Sequence, residues 1–147
     1  RVEEPVLFIK EIGAKKVGIA TCFGLINEAK IFAKILQKNG IKYVSVVCKV
    51  GGEDKANMGL APEDTICKGA HPETMCNPIL QAKLLNEQKT DFNIALGLCV
   101  GHDSLFYQYS EARVTTLVVK DRVLAHNPVG AIYCADGYFK NRLKVEE

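Results

Sequence analysis

The sequence predicts an α/β domain: a three-layer sandwich, Rossmann-like, around a mostly parallel central sheet of four or more strands. Two observations predict it. Four apolar runs have strand length, "KKVGIATC" (15–22), "IKYVSVVCKVGG" (41–52), "FNIALGLC" (92–99) and "VTTLVVK" (114–120), and they are continuous rather than alternating, as strands buried on both faces are. Helical patterns separate them, and alternation of strand and helix is the mark of crossover units in a parallel sheet.

Each element follows in order. "EPVLFIKEIG" reads as a helix opening on Pro5 and ending at Gly13. After the first strand, Leu25, Ile26, Ala29, Phe32, Ala33 and Leu36 recur at helical spacing, and Asn39 with Gly40 supplies the stop. A polar stretch of 25 residues, "GGEDKANMGLAPEDTICKGAHPETM", then intervenes; a loop that long is expected to be functional or to hold a short helix, for which "APEDTICK" is the candidate, and we expect it over the site. "CNPILQAKLLNEQ" and "HNPVGAIYCADGYFKNRL" read as helices with Asn77 and Asn127 as N-caps and Pro78 and Pro128 at the first helical position. "SLFYQY" reads as a helix that Asp103 or Ser104 could cap.

Composition bounds the function. The chain of 147 residues is 48% hydrophobic, enough for one compact domain spanning 1–147. Nineteen basic residues against 17 acidic ones, in no long block, leave no nucleic-acid or anionic-membrane footprint. No apolar run approaches the roughly 20 residues of a membrane helix, and the start "RVEEPVLFIK" lacks signal-peptide order, so a cytoplasmic protein is expected. Because Arg1 is not an initiator Met, we expect a processed or truncated piece of a longer protein. There is no G-x-G-x-x-G after the first strand and no G-K-[ST], which disfavours nucleotide binding.

Six cysteines are many for a cytosolic domain, where a disulfide framework is not expected. Cys22, Cys48 and Cys99 fall at the carboxyl ends of three expected strands, the edge where open parallel sheets form their ligand crevice. Cys76, just before its helix, can reach the same place. Four converging thiols suffice for tetrahedral zinc or for a cluster of four irons and four sulfides. No pair is spaced C-x-x-C, so convergence rests on the fold, and each cysteine alone is equally well read as a buried apolar thiol. Cys67, in the long loop, and Cys134, within a helix, are the least convincing ligands. His126 is an alternative ligand or a turn residue, and His71 a solvated loop residue. His102 and Asp103 are candidate catalytic groups or, equally, turn and cap residues. Gly97 and Gly101 flank Cys99, and Gly51 and Gly52 follow Cys48; glycines there let the backbone approach a bulky group, so Gly51 and Gly101 are candidate cofactor contacts.

The stretches "ATCFGLINEAK", "VVCKVGG" and "MCNPILQAKLLNEQKTDFNIALGLCVGHDSLFYQYSEARVTTLVVKDRVLAHNPV" resemble the family of uncharacterised, predicted metal-binding proteins described as domain of unknown function 1847. The resemblance spans nearly the whole chain. It implies metal binding without a reaction or substrate, and points to Cys22, Cys48, Cys76 and Cys99 and to the "GHDS" and "HNP" stretches. It also implies a further cysteine-rich N-terminal segment that this chain lacks.

Three functions follow. The first is an iron–sulfur protein whose 4Fe-4S cluster is held by Cys22, Cys48, Cys76 and Cys99. With three thiolates bound, the open iron would serve a small-molecule substrate as a Lewis acid, with His102 or His126 for proton transfer. With four bound, electron transfer to a redox partner is expected. The second is a structural or regulatory zinc domain with four thiolates, or three and His126. The third is metal-free, with Cys99 as a nucleophile or redox thiol activated by His102 or by the helix that follows.

Overall fold

A computed structural model describes residues 1–144, so the last three residues of the expected 1–147 domain lie outside the described residues. Strands β1 (Lys16–Thr21), β2 (Lys42–Val47), β3 (Phe92–Leu98) and β4 (Arg113–Val119) form one sheet in the order β2-β1-β3-β4, with every pair parallel. Helices α1 (Glu3–Glu11), α2 (Ile26–Lys38), α3 (Pro78–Glu87) and α4 (His102–Tyr109) cover it, and α5 (Val129–Tyr133) and α6 (Lys140–Leu143) follow β4. The α/β sandwich is the architecture the apolar runs predict. Among the described residues, no helix is long and apolar enough to cross a membrane.

Successive strand residues point to opposite faces, and the core divides accordingly. On one face Val17 and Ile19 of β1 and Phe92, Ile94 and Leu96 of β3 pack with Val6 and Ile9 of α1 and with Ala29, Phe32, Ala33 and Leu36 of α2. On the other, Ala20, Ala95 and Leu98 meet Ala82 and Leu85 of α3 and Phe106 of α4. β3 is buried along its entire length, which is why it reads as an apolar run with one polar residue. The polar exception on β3, Asn93, is fully satisfied: its Oδ1 accepts from Thr90 Oγ1 at 2.8 Å and its Nδ2 donates to Ser110 Oγ at 2.8 Å. Gly18 on β1 leaves the space for that amide, because a Cβ there would overlap Asn93 Oδ1.

The strand order positions the site. From β1 the chain crosses through α2 to β2 on one side, and from β3 through α4 to β4 on the other, so the order reverses between β1 and β3. Ligand crevices of open α/β sheets open at the carboxyl ends of such strands. Near this edge the β3–β4 register shifts between Ala95 and Leu98, and Gly97 takes φ +71° at the irregularity. The Gly97 hydrogen faces Leu25: a Cβ would overlap Leu25 Cδ1 and lie 3.1 Å from its Cγ. The glycine thus admits a core leucine just before Cys99.

Local departures from the sequence reading have identifiable causes. α1 begins at Glu3, two residues before Pro5, since a proline is tolerated anywhere in the first turn. "APEDTICK" forms only a 3₁₀ turn at Pro62–Asp64, because Thr65 leaves it extended with its hydroxyl donating to Pro62 O at 2.7 Å; a second such turn spans Lys55–Met58. "HNPVGAIYCADGYFKNRL" is two short helices rather than one. No side chain caps α5, and Ile132, Tyr133 and Tyr138 are exposed, so the segment has no apolar stripe to bury beyond Phe139.

Candidate metal centre

The carboxyl ends of the four strands present, in spatial order, Cys48, Cys22, Cys99 and Lys120. Each is the residue immediately after its strand, and backbone bonds seat them: Cys48 N donates to Thr21 O at 2.8 Å, Cys22 N to Leu96 O at 3.2 Å and Lys120 N to Leu98 O at 3.2 Å. Parallel register alone therefore brings three thiols and an ammonium to one edge.

Cys76 arrives by a different route. The two legs of the long β2–α3 connection pair in antiparallel fashion, with Lys55 N donating to Glu73 O at 3.0 Å and Met75 N to Glu53 O at 2.8 Å around an Asp54–Thr74 bridge. The Lys55–Glu73 ion pair and a bond from Lys49 Nζ to Thr74 O reinforce the base. Asn77 N then donates to Cys48 O at 2.8 Å, while the Asn77 side chain caps α3 by accepting from Leu80 N at 2.9 Å. The chain is thereby folded back so that Cys76 Sγ lies 3.6 Å from Cys48 Sγ.

Electrostatics differentiate the four sulfurs. Cys48 is 3% exposed and keeps its proton: the hydrogen bonds it shares with Cys22 and Cys76, together with burial, push its pKa up, and the Phe23 amide donated to its Sγ at 3.2 Å offsets this only partly. Sharing of that proton lowers Cys22 to about 5, with help from the Gly24 amide and Lys120 and against burial. A second hydrogen bond, between Cys76 and Cys48, lowers Cys76 to about 6, with Lys49 and His102 assisting against burial and the charge of Cys22. Cys99 is raised, by burial first and then by Cys22 and Cys76, although Arg122 donates to its Sγ at 3.4 Å. That direction is the opposite of what an activated nucleophile requires. Thiolates at Cys22 and Cys76 are the form that binds metal.

The remaining candidates are distributed as follows. His102, half-buried in the first turn of α4, faces the thiols closely enough to favour the Cys76 thiolate. Asp103 spends one oxygen on the helix start, accepting from Gly101 N at 3.0 Å and Ser104 N at 2.8 Å. Gly101 turns with φ +84° and faces open space, whereas a Cβ on Gly51 would meet Leu80 Cδ2 at 3.2 Å. His126 has φ +65° and is held in its own turn, its Nδ1 accepting from Asp121 N at 3.0 Å. Cys67 donates to His71 O at 3.1 Å within the loop, and Cys134 is exposed at the end of α5. Among the described residues, no three Cys, His, Asp or Glu side chains are already gathered closely enough to enclose a single metal ion.

Sequence reasoning passed over Lys120, Arg122, Lys49 and the Phe23 amide. Lys120 is legible in the sequence, because it ends the fourth strand as the cysteines end the other three.

A family model described as protein of unknown function (DUF1847) matches residues 1–117, a span that holds all four clustered cysteines and ends within β4. The uncharacterized protein MJ0455 of Methanocaldococcus jannaschii is 56% identical over 133 residues, covering 90% of this chain and 66% of that protein. The chain thus spans about two thirds of the length of this curated relative.

Proposed function

We propose for this chain, which belongs to the DUF1847 family, the role of a thiolate-held metal protein, with an iron–sulfur cluster of the 4Fe-4S type bound by Cys22, Cys48, Cys76 and Cys99. The observation that carries this reading is the gathering of four cysteines from four separate segments at the switch point of a parallel sheet. The donor set fits the group, since sulfur is the ligand such clusters take. When bound, the cluster would supply one-electron transfer to a redox partner or, with one iron open, Lewis acidity toward a small-molecule substrate.

The chain's own residues have definable tasks around it. Four thiolates carry excess negative charge, and Lys120, Arg122 and Lys49 at the same edge offset it, as their effects on Cys22, Cys99 and Cys76 indicate. The Phe23 amide gives Cys48 a hydrogen bond that persists after its proton leaves, a contact of the kind that tunes cluster potential. His102, in the first turn of α4, lies beside Cys76 and helps favour its thiolate. Asp103, committed to the helix start, positions that turn. Six unpaired cysteines suit a reducing compartment, which supports a cytoplasmic location.

One observation favours a second reading, a structural zinc. Bonds of about 2.3 Å in a tetrahedron set sulfurs about 3.8 Å apart, close to the 3.6 Å between Cys48 and Cys76. Metal and acid-labile sulfide analysis of protein purified without oxygen separates the two. Iron and sulfide in near-equal amounts support the cluster, zinc without sulfide supports the structural site, and a chain free of both refutes the proposal.

A further inference from the structure

We propose that Cys76 and Cys48 form a thiol–disulfide exchange site for low-molecular-weight disulfides, Cys76 attacking and Cys48 resolving. The inference shares its thiols with the metal reading but does not depend on metal being bound.

The two sulfurs are 3.6 Å apart, within the movement a side-chain rotation supplies on the way to a bond of about 2.0 Å. The two segments that carry the thiols are held together by backbone bonds. Asn77 N on Cys48 O, Lys55 N on Glu73 O and Met75 N on Glu53 O hold the base of the loop as a short ladder, with Cys76 at its end. Access differs between the pair: Cys76 is half-buried, whereas Cys48 is 3% exposed. A soluble disulfide can therefore meet Cys76 and not Cys48, and the thiol that meets a mixed disulfide on Cys76 is Cys48. A more accessible attacking thiol beside a buried resolving thiol is the arrangement such exchange uses.

The chemistry balances with the small disulfide as the sole oxidant. Cys76 as its thiolate attacks one sulfur of the disulfide RSSR, forming the mixed disulfide Cys76–S–S–R and expelling RS⁻. Cys48 then gives up its proton, its sulfur attacks Cys76 Sγ, the Cys48–Cys76 bond forms, and the second RS⁻ leaves with that proton. Two protein thiols are oxidised and one RSSR is reduced to two thiols. In a reducing cell such a bond is transient, and while it exists two of the four thiols proposed to hold metal are withdrawn.

The test uses the whole chain with oxidised glutathione, as isolated and after chelator treatment, with circular dichroism confirming the fold in each case. Intact mass and peptide mapping of the metal-free chain should show six free thiols falling to four, with Cys48 joined to Cys76. The Cys48→Ser variant should instead retain one glutathionyl group on Cys76. Cys22→Ser should leave the Cys48–Cys76 link intact, which keeps the proposal exposed if Cys48→Ser fails to fold. Pairing of Cys48 with Cys22, links through Cys67 or Cys134, or six thiols surviving would overturn it. A chain that holds no metal yet forms the link refutes the metal reading alone. One that holds metal but, once stripped, forms no link refutes this inference alone.

Discussion

Replacing Gly97 with Ala puts the connection between core packing and the thiol edge under direct test. Two costs can be worked out from the structure. An alanine at φ +71° sits in the left-handed region, at about 1–2 kcal/mol. Its Cβ would also overlap Leu25 Cδ1 and crowd Leu25 Cγ at 3.1 Å, and forcing a methyl into a packed site costs about 1–3 kcal/mol. Leu25 is buried in the core cluster, so swinging clear would disturb its packing there. The sum, about 2–5 kcal/mol, is a large part of the roughly 5–15 kcal/mol that stabilises a domain, and for a chain near this length it lowers Tm by about 4–20 °C. Urea unfolding followed by circular dichroism measures it. The packing part is isolated by a double-mutant cycle with Leu25→Ala: removing the leucine removes the overlap, so the double variant should be more stable than the sum of the singles by about 1–3 kcal/mol. Additivity, or a loss below about 0.5 kcal/mol in Gly97→Ala, would refute the claim that Gly97 exists to admit Leu25.

Three further outcomes are expected. Gly18→Ala would drive a methyl into Asn93 Oδ1 and to 2.8 Å from Leu85 Cδ1, and should destabilise by about 1–3 kcal/mol in the same assay, with faster amide exchange at Asn93 and Ser110. Lys120→Met removes a cation that favours the Cys22 thiolate, so alkylation of Cys22 by iodoacetamide should show its midpoint above about 5, while the Cys48 bond, the larger influence, keeps it below 9.0. The metal-free chain should gain stability as pH rises from about 5 toward 9.0, because the unfolded thiols stay protonated there while folded Cys22 and Cys76 do not. Above 9.0 the raised values of Cys48 and Cys99 reverse the sign, and a thermal-shift series should therefore peak near 9.0.

Much of this was legible in the residues because the governing rules are local. Continuous apolar runs marked the strands, and the cysteines ended three of them, so parallel register did the rest. Asn77 and Pro78 marked the start of α3 and hence where Cys76 stands. What stayed hidden depends on contacts between distant segments. The pairing of Glu53–Lys55 with Glu73–Met75, which returns Cys76 to Cys48, carries no periodicity to detect. Gly97 reads from sequence as room for a cofactor, but the space is filled by Leu25, 72 residues away in the chain. Asp103 offered a cap or an acid, and the two amides on its Oδ1 become visible only in the folded turn. The segment after Pro128 has the opening of a helix without the buried stripe needed to sustain a long one.

Cys22, Cys48, Cys76 and Cys99 are the proposed ligands of a metal centre. The measurement that tests this most directly is iron, zinc and acid-labile sulfide content, with a visible spectrum, on anaerobically purified protein and its Cys48→Ala, Cys76→Ala and Cys99→Ala variants. Iron and sulfide in near-equal amounts are expected, with broad absorption near ~400 nm that each variant loses. Metal that survives all three substitutions, or a wild-type chain without metal, would contradict that assignment.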